Sequence, residues 1–400
     1  MSSRFGAWHR WLPLVLLLIP PAVAAGADPV EQQVCRLERA AFLLVGGAGQ
    51  GGRDCRADEP LIPASTLKVL TAWLALEHWG PDFRFTTEFF LDDHQLLWIR
   101  GRGDPMLVSE ELASVAAALK SRGVGPLAGI GIDESYYAAD IDIPGRAGSD
   151  NPYDAPVTAL AANFNTLHLM RVEGELRSAE PQTPLTPTAR RLGRRVTARQ
   201  RINLPVAADG GRYFAELLGA KLREVGIEVG ETLRRGTVPV DARLLYRHRN
   251  SRPLSAVVRA MLRYSTNFIA NQLWLDLGAE AFGPPADMEK ARRHARQRID
   301  AVFGWQDYQV VEGAGLSRQN RLSPRQLVEL LQRFTPWRGL LPRRGAGVRA
   351  KTGTLHGVRT LAGYLDGASG RRPFAILINS PAPPRLRDRL LERWRAAAGP

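Results

Sequence analysis

The stretch PASTLKVLTAWLALEHWG, residues 63–80, decides how this chain is read. Leu67, Val69, Leu70, Trp73, Leu74 and Leu76 make it apolar on nearly every side, and Gly80 is placed to end a helix. A helix of that composition lies in the core of its domain. Ser65 and Lys68 stand at its start, three residues apart and therefore on one face, so the lysine amine can reach the serine hydroxyl. A serine hydroxyl is a weak nucleophile until a base takes its proton. Lysine can be that base when burial and a second cation lower its pKa, whereas arginine stays protonated inside a protein. Backbone N–H groups at the first turn also point toward a developing oxyanion.

The lysine–arginine distinction carries weight in this composition. The chain has 400 residues, 44% hydrophobic and 24% charged, with a net charge of +14. Those values describe a folded chain of two or three domains and exclude disordered, collagen-like and multi-span membrane classes. Of its 54 basic residues only Lys68, Lys120, Lys221, Lys290 and Lys351 are lysine. Two of the five fall in short motifs. Ser65-Thr-Leu-Lys68 is followed in order by Ser265-Thr-Asn267 and Lys351-Thr-Gly-Thr354, a combination that chance would give roughly 0.002 times in this composition. Lys351 supplies the second cation, Thr352 and Thr354 offer hydroxyls to a substrate carboxylate, Ser265 can relay a proton, and Asn267 can bond a substrate amide. Singly, each motif reads as a helix cap or a surface strand.

Around these motifs the pattern predicts a hairpin over 37–62, a second over 83–100 turning at Asp92-Asp93-His94, and a helix at 109–122 with Ser109 as its N-cap. Residues 138–210 are irregular and carry the cluster Arg190, Arg191, Arg194, Arg195, Arg199 and Arg201, a solvated rim or a docking patch for an anionic polymer. Helices follow at 213–225, 254–263, 267–277, 287–303 and 324–334. Strands at 348–355, 359–366 and 373–379 and a last helix at 384–397 close the chain. Three short-looped strands in succession predict an antiparallel sheet with helices against it.

Residues 1–27 have the charged, apolar and small-residue order of a secretory signal peptide; a retained anchor is the alternative, but its apolar run is short of about 20 residues and broken by proline. Export makes Cys35 and Cys55, twenty apart, either a disulfide or two buried thiols. The scattered histidines give no metal-ligand spacing, Gly46–Gly52 lacks the ending of a phosphate loop, and no cofactor is expected. Nucleic acid binding conflicts with export.

Longer phrases carry a family resemblance: Pro63-Ala-Ser-Thr-Leu-Lys68, Gly101-Arg-Gly-Asp-Pro105, Tyr153-Asp-Ala-Pro156 with Asn163-Phe-Asn165, Gly313-Ala-Gly-Leu-Ser-Arg318 and Ala350-Lys-Thr-Gly-Thr-Leu355. From about residue 36 to 380 the chain resembles the class C low-molecular-mass penicillin-binding proteins, the D-alanyl-D-alanine carboxypeptidase/endopeptidases of peptidase family S13. The resemblance implies an α+β fold of the penicillin-binding/β-lactamase-like kind, an antiparallel sheet flanked by helices plus an all-helical lobe. It places the DD-peptidase domain at 28–83 and 242–400, and an inserted accessory domain at 84–241, with a second accessory domain reduced. It makes Ser65 the acylated nucleophile, Lys68 its base, Ser265 and Asn267 the second element, and Lys351, Thr352, Gly353 and Thr354 the third. The backbone N–H groups of Ser65 and Thr354 form its oxyanion hole. Peptidoglycan stem peptides are then the substrate and β-lactams covalent inhibitors, in the periplasm or at the cell envelope beside anionic wall and membrane polymers. Thr266 stands where the family often has an acidic or amide residue, and Glu312 and Ala314 where Asp and Ser are usual. Those departures keep a weakly catalytic peptidoglycan-binding scaffold in view, and a β-lactamase or esterase on the same fold is a third reading.

Overall fold

The computed structural model describes residues 28–399, so the expected signal peptide at 1–27 lies outside the described residues. The chain enters through α1 (Pro29–Cys35), the hairpin β1 (Ala40–Leu44) and β2 (Arg53–Cys55), and a 3₁₀ turn at Ala64–Leu67 that runs directly into α2 (Lys68–Trp79). It then builds β3 (Thr86–Leu91), β4 (Leu96–Arg100), α3 (Ser109–Ser121), β5 (Leu127–Asp133), β6 (Thr166–Val172), β7 (Glu175–Ser178), α4 (Pro187–Leu192), β8 (Gln200–Asn203), α5 (Ala207–Glu224), β9 (Val229–Arg235) and β10 (Arg243–Arg249). The last part holds α6 (Leu254–Tyr264), α7 (Asn267–Phe282), α8 (Met288–Phe303), α9 (Pro324–Phe334), β11 (Val348–Leu355), β12 (Val358–Gly367), β13 (Gly370–Ile378) and α10 (Leu386–Ala398).

One sheet, in the order β11-β12-β13-β1-β2, is antiparallel throughout. Its strands are apolar on both faces because both are covered. Phe374, Ile376 and Ile378 of β13 face a core with Phe42, Leu386, Leu390 and Trp394, while Ala375 and Leu377 between them face the helical lobe. That period-two division makes three layers: α1 and α10, the sheet, then the helical lobe. The lobe's centre is α2 and α7, on which Val69–Leu76 and Phe268–Ala279 are buried without a break, as an all-round apolar pattern requires.

A second sheet, β10-β3-β4-β5-β9, shares one core with α3, α5 and the small sheet β7-β6-β8 through Phe89, Ile99, Leu112, Ile130, Leu169 and Phe214. The hairpin β3–β4 turns where expected. Asp92 closes it by accepting from the backbone N–H of His94 and Leu96, each at 2.9 Å, and from the Trp98 indole at 2.8 Å. Several expectations shift. β10 pairs with β3, so this sheet extends past the boundary expected at 241 to residue 249; Arg243-Leu-Leu-Tyr-Arg-His-Arg249 has no alternating apolar face to announce a strand. Ile143, Val157 and Ala161, from the irregular stretch, pack into the core of the helical lobe. Ser109 is the first helical residue rather than the N-cap, and its hydroxyl meets Thr183 Oγ1 at 2.7 Å. Helix α5 starts at Ala207, six residues before the expected start, because Gly210 and Gly211 are buried within it and hid its beginning.

Candidate active site

The three motifs converge between the sheet and the lobe. Ser65 sits on the 3₁₀ turn, where residues i and i+3 eclipse more closely than in an α-helix, and Lys68 Nζ lies 3.0 Å from Ser65 Oγ. Lys68 is fully buried and donates to Asn267 Oδ1 at 2.7 Å and to the Ala314 carbonyl at 2.6 Å. Asn267 is held in that sense by its own Nδ2, which donates to the Tyr153 carbonyl at 3.1 Å. Ser265 ends α6 in the left-handed conformation, φ 57°, which turns the chain sharply into α7 and brings Ser265 and Asn267 to the same side. Lys351 on β11 is 1% exposed and donates to Ser265 Oγ at 2.8 Å and to the Thr352 carbonyl at 2.7 Å. Hydrogen bonds therefore tie the first motif to the second through Lys68–Asn267, and the second to the third through Lys351–Ser265.

Gly353 explains why the third motif tolerates no side chain there. A Cβ would come within 2.1 Å of Thr360 Oγ1 and 2.9 Å of both the Pro63 carbonyl and the Ser65 amide nitrogen. The strand thus packs backbone to backbone on the Ser65 turn, and Thr360 Oγ1 donates to the Pro63 carbonyl at 2.7 Å to fix the approach. Thr352 is half-buried and Thr354 exposed, both next to this junction.

Burial dominates the electrostatics. It pushes the Lys68 amine down to about 7, against the charge of Glu312, which favours the protonated form. It pushes the Lys351 amine down to about 6, helped by the positive charges of Lys68 and Arg344. A neutral Lys68 has two N–H bonds and one lone pair. Since its Asn267 and Ala314 partners are carbonyl oxygens and can only accept, they take both N–H bonds and leave the lone pair for the Ser65 hydroxyl.

Glu312 holds the loop that supplies the Ala314 carbonyl. Its side chain is fully buried and accepts from the backbone N–H of Ala314 (2.7 Å), Leu316 (2.8 Å) and Ser317 (3.3 Å) and from Asn320 Nδ2 (2.8 Å). Two more supports escaped the sequence reading. Thr71 Oγ1 donates to the Gly313 carbonyl at 2.6 Å, and Asn271 Oδ1 accepts from the Gly313 N–H at 2.9 Å. A signal existed for both: Thr71 is three residues beyond Lys68 and Asn271 four beyond Asn267, so each repeats the face of a site residue. Arg344, whose Nη2 donates to Thr352 Oγ1 at 3.3 Å, carried no such signal. Cys35 and Cys55 are brought together, with Cα atoms 6.0 Å apart, within the span of a disulfide. Among the described residues no cluster of His, Cys, Asp and Glu could hold a metal.

The same architecture is found in a crystal structure of penicillin binding protein 4 (dacB) from Haemophilus influenzae, with a TM-score of 0.74 at 20% identity over 92% of this chain and 100% of that one. A crystal structure of the Haemophilus influenzae protein complexed with a β-lactam gives 0.67 at 21% identity over 92% and 97%. Fold and family place the molecule among the serine hydrolases of the penicillin-binding class. The model of the D-Ala-D-Ala carboxypeptidase 3 (S13) family matches residues 40–190, 196–340 and 339–397, and this chain belongs to that family. It is 27% identical over 432 aligned positions, 85% of this chain and 78% of the relative, to the D-alanyl-D-alanine carboxypeptidase of Actinomadura sp. (strain R39).

Proposed function

We propose that this chain is an exported DD-peptidase that hydrolyses the terminal D-Ala-D-Ala bond of peptidoglycan stem peptides, and D-amino-acid cross-links, through a Ser65 acyl-enzyme. The observation that carries this reading is the Lys68 amine, buried, bonded to two carbonyl acceptors and 3.0 Å from Ser65 Oγ. In the proposed first half-reaction, Ser65 Oγ attacks the penultimate D-Ala carbonyl and its proton passes to the Lys68 lone pair. Oxyanion charge is met by the backbone N–H groups of Ser65 and Thr354. As the C–N bond breaks, Lys68 passes that proton to the departing amine through Ser265, which the Lys351 hydrogen bond orients, so Lys68 is neutral again when water arrives. Water then attacks the acyl-enzyme with Lys68 as base and releases the shortened peptide. Thr352 and Thr354 hold the substrate carboxylate, and Gly353 permits the close approach of strand and serine turn. Membership of the S13 family and the β-lactam complex of the related Haemophilus influenzae protein support β-lactams as inhibitors that acylate the same serine. Residues from about 84 to 249 form the accessory insert, with the small sheet β7-β6-β8 as its reduced second part. We assign periplasmic or envelope location and a peripheral role for the arginine-rich surface beside anionic polymers. Cys35–Cys55 is bridged, stapling α1 to β2 at about 3 kcal/mol of loop entropy.

Intact-mass measurement with and without benzylpenicillin tests this reading. We expect a protein starting after Ala25 or Ala27, two hydrogens lighter than its reduced form, that gains one penicilloyl group. Ser65→Ala should gain none; undiminished labelling of Ser65→Ala overturns the assignment. The acylation rate should rise as pH rises through about 7, because Lys68 works as a base only once neutral. A rate flat from about pH 5.5 to 9 would remove Lys68 from that role. Release of D-Ala from a pentapeptide with kcat of about 1 per second or more excludes the scaffold reading.

A further inference from the structure

Asn267 is oriented from outside its own helix. An amide has a donating and an accepting end, and the Tyr153 carbonyl can only accept, so it draws Nδ2 to itself and leaves Oδ1 facing Lys68. Whatever holds the Tyr153 carbonyl therefore decides which end of the amide the lysine meets.

Tyr153 lies in a 3₁₀ turn, Pro152–Asp154, with α7 on one side and the end of β8 on the other. Asn203, the last residue of β8 and 3% exposed, binds the chain ahead of that turn at three consecutive residues. Its Nδ2 donates to the Ser149 carbonyl at 2.6 Å and the Asn151 carbonyl at 3.0 Å, and its backbone N–H donates to the Asp150 carbonyl at 3.0 Å. Asp154, itself buried, closes the loop from within by accepting from the backbone N–H groups of Ala147 (3.3 Å) and Ser149 (3.1 Å) and from the Ser149 hydroxyl. Arg146 Nε donates to the Asp154 carbonyl at 2.6 Å. No strand or α-helix runs through residues 146–154, so these bonds are the loop's frame.

A second arm reaches the same helix. Asn163, Phe164 and Asn165 have φ of 50°, 62° and 51°, three side-chain-bearing residues in a row in the left-handed region, a conformation kept only where the surroundings over-determine it. It lays the Phe164 ring against Phe268, the residue after Asn267, with centroids 6.3 Å apart. Asn165 Nδ2 donates to the Pro156 carbonyl at 2.8 Å, and the Asn165 carbonyl accepts from the Leu204 N–H at 2.9 Å, one residue past Asn203. Loop and turn brace one another, and both end at the start of α7.

We propose that Asn203 is a positioning residue for the acylation step: by framing the loop it keeps the Tyr153 carbonyl on Asn267 Nδ2, and so keeps the accepting end of that amide on Lys68. The proposal rests on the DD-peptidase reading above, and it gives the accessory insert a part in catalysis apart from any contact with substrate. Once the carbonyl moves away the amide is free to turn, and an N–H of Nδ2 then competes for the Lys68 lone pair that Ser65 needs.

A double-mutant cycle on the full chain tests this, read as the rate of Ser65 acylation by benzylpenicillin with a thermal melt on every sample. Asn203→Ala should slow acylation about tenfold, and Ser149→Ala, which takes one bond from the frame at a half-buried position, about threefold. In an Asn267→Ala background, itself slow, each effect should shrink below about twofold, because no amide remains to be oriented. General loosening of the fold would instead slow both backgrounds by the same factor. If Asn203→Ala does not melt cooperatively, Ser149→Ala carries the same cycle. A folded variant of either kind that acylates at the unchanged rate, or a slowing of equal size with and without Asn267, overturns the proposal while penicillin labelling of Ser65 leaves the peptidase reading standing. An unchanged protein whose Ser65 takes up no penicillin overturns the peptidase reading and this inference with it.

Discussion

Lys68→Arg should slow Ser65 acylation by benzylpenicillin about a thousandfold or more while the protein still folds. The chain uses arginine for 49 of its 54 basic residues, so keeping lysine at position 68 reflects something arginine cannot do. In the proposed mechanism that is loss of a proton at position 68. Burial brings the Lys68 amine down to about 7, within reach of neutrality at physiological pH, whereas a guanidinium holds its proton under the same burial. General-base assistance is worth about 10²–10⁴ in rate, and misplacing Ser65 adds to the loss. A fluorescent penicillin time course with a thermal melt on the same sample makes the measurement. Acylation within tenfold of the unchanged protein would show that Ser65 is activated by another group. Lys351→Arg is the informative partner. That residue needs compactness beside Ser265 more than it needs to lose a proton, so its loss should be the smaller of the two.

Glu312→Ala should destabilise the fold by about 3 kcal/mol and disable the site at once. The carboxylate is the acceptor for four donors, three of them backbone N–H groups of one loop, and its removal leaves them buried without partners. In a chain of 400 residues a loss of that size lowers Tm by about 4 °C. The loop would no longer present the Ala314 carbonyl to Lys68, so acylation should fall with stability. Glu312→Gln separates the two effects, since its amide oxygen can keep the three contacts made by Oε1. Glu312 favours the protonated form of Lys68, so taking away its charge lowers the Lys68 pKa further. The pH midpoint of acylation should then move below that of the unchanged protein. A melt of Glu312→Ala at the wild-type temperature, or a midpoint in Glu312→Gln moved upward, would contradict this account. The geometry also gives a sequence departure a structural role: with four donors satisfied, glutamate at 312 serves as a loop clamp.

Elements with strong periodicity are legible in the amino-acid sequence itself. The buried helix after Ser65, the hairpin at Asp92, the three closing strands and the capped helix at 324–334 stand close to their expected places, because their apolar spacing and turn residues act over a few neighbouring residues. Elements whose stability comes from distant partners are not. β10 has no apolar alternation and exists because β3 offers it a ladder, and the parallel pairings of β4 with β5 and β5 with β9 join segments separated by intervening chain.

The site divides along the same line. Sequence alone determined which residues are present and their chemistry: a serine three positions before a lysine, a serine two before an asparagine, a lysine on a strand, in that order, in a chain otherwise given to arginine. Tertiary structure alone decided that Lys68 spends both N–H bonds on Asn267 and Ala314, that Lys351 reaches Ser265, that Glu312 holds the loop between them, and that Arg344 stands beside Thr352. The reason is physical. Spacing along one helix fixes which side chains share a face, but a hydrogen bond between residues 68 and 267 needs the lobe packed around α2 and α7, and a pKa near neutrality needs the burial that packing creates.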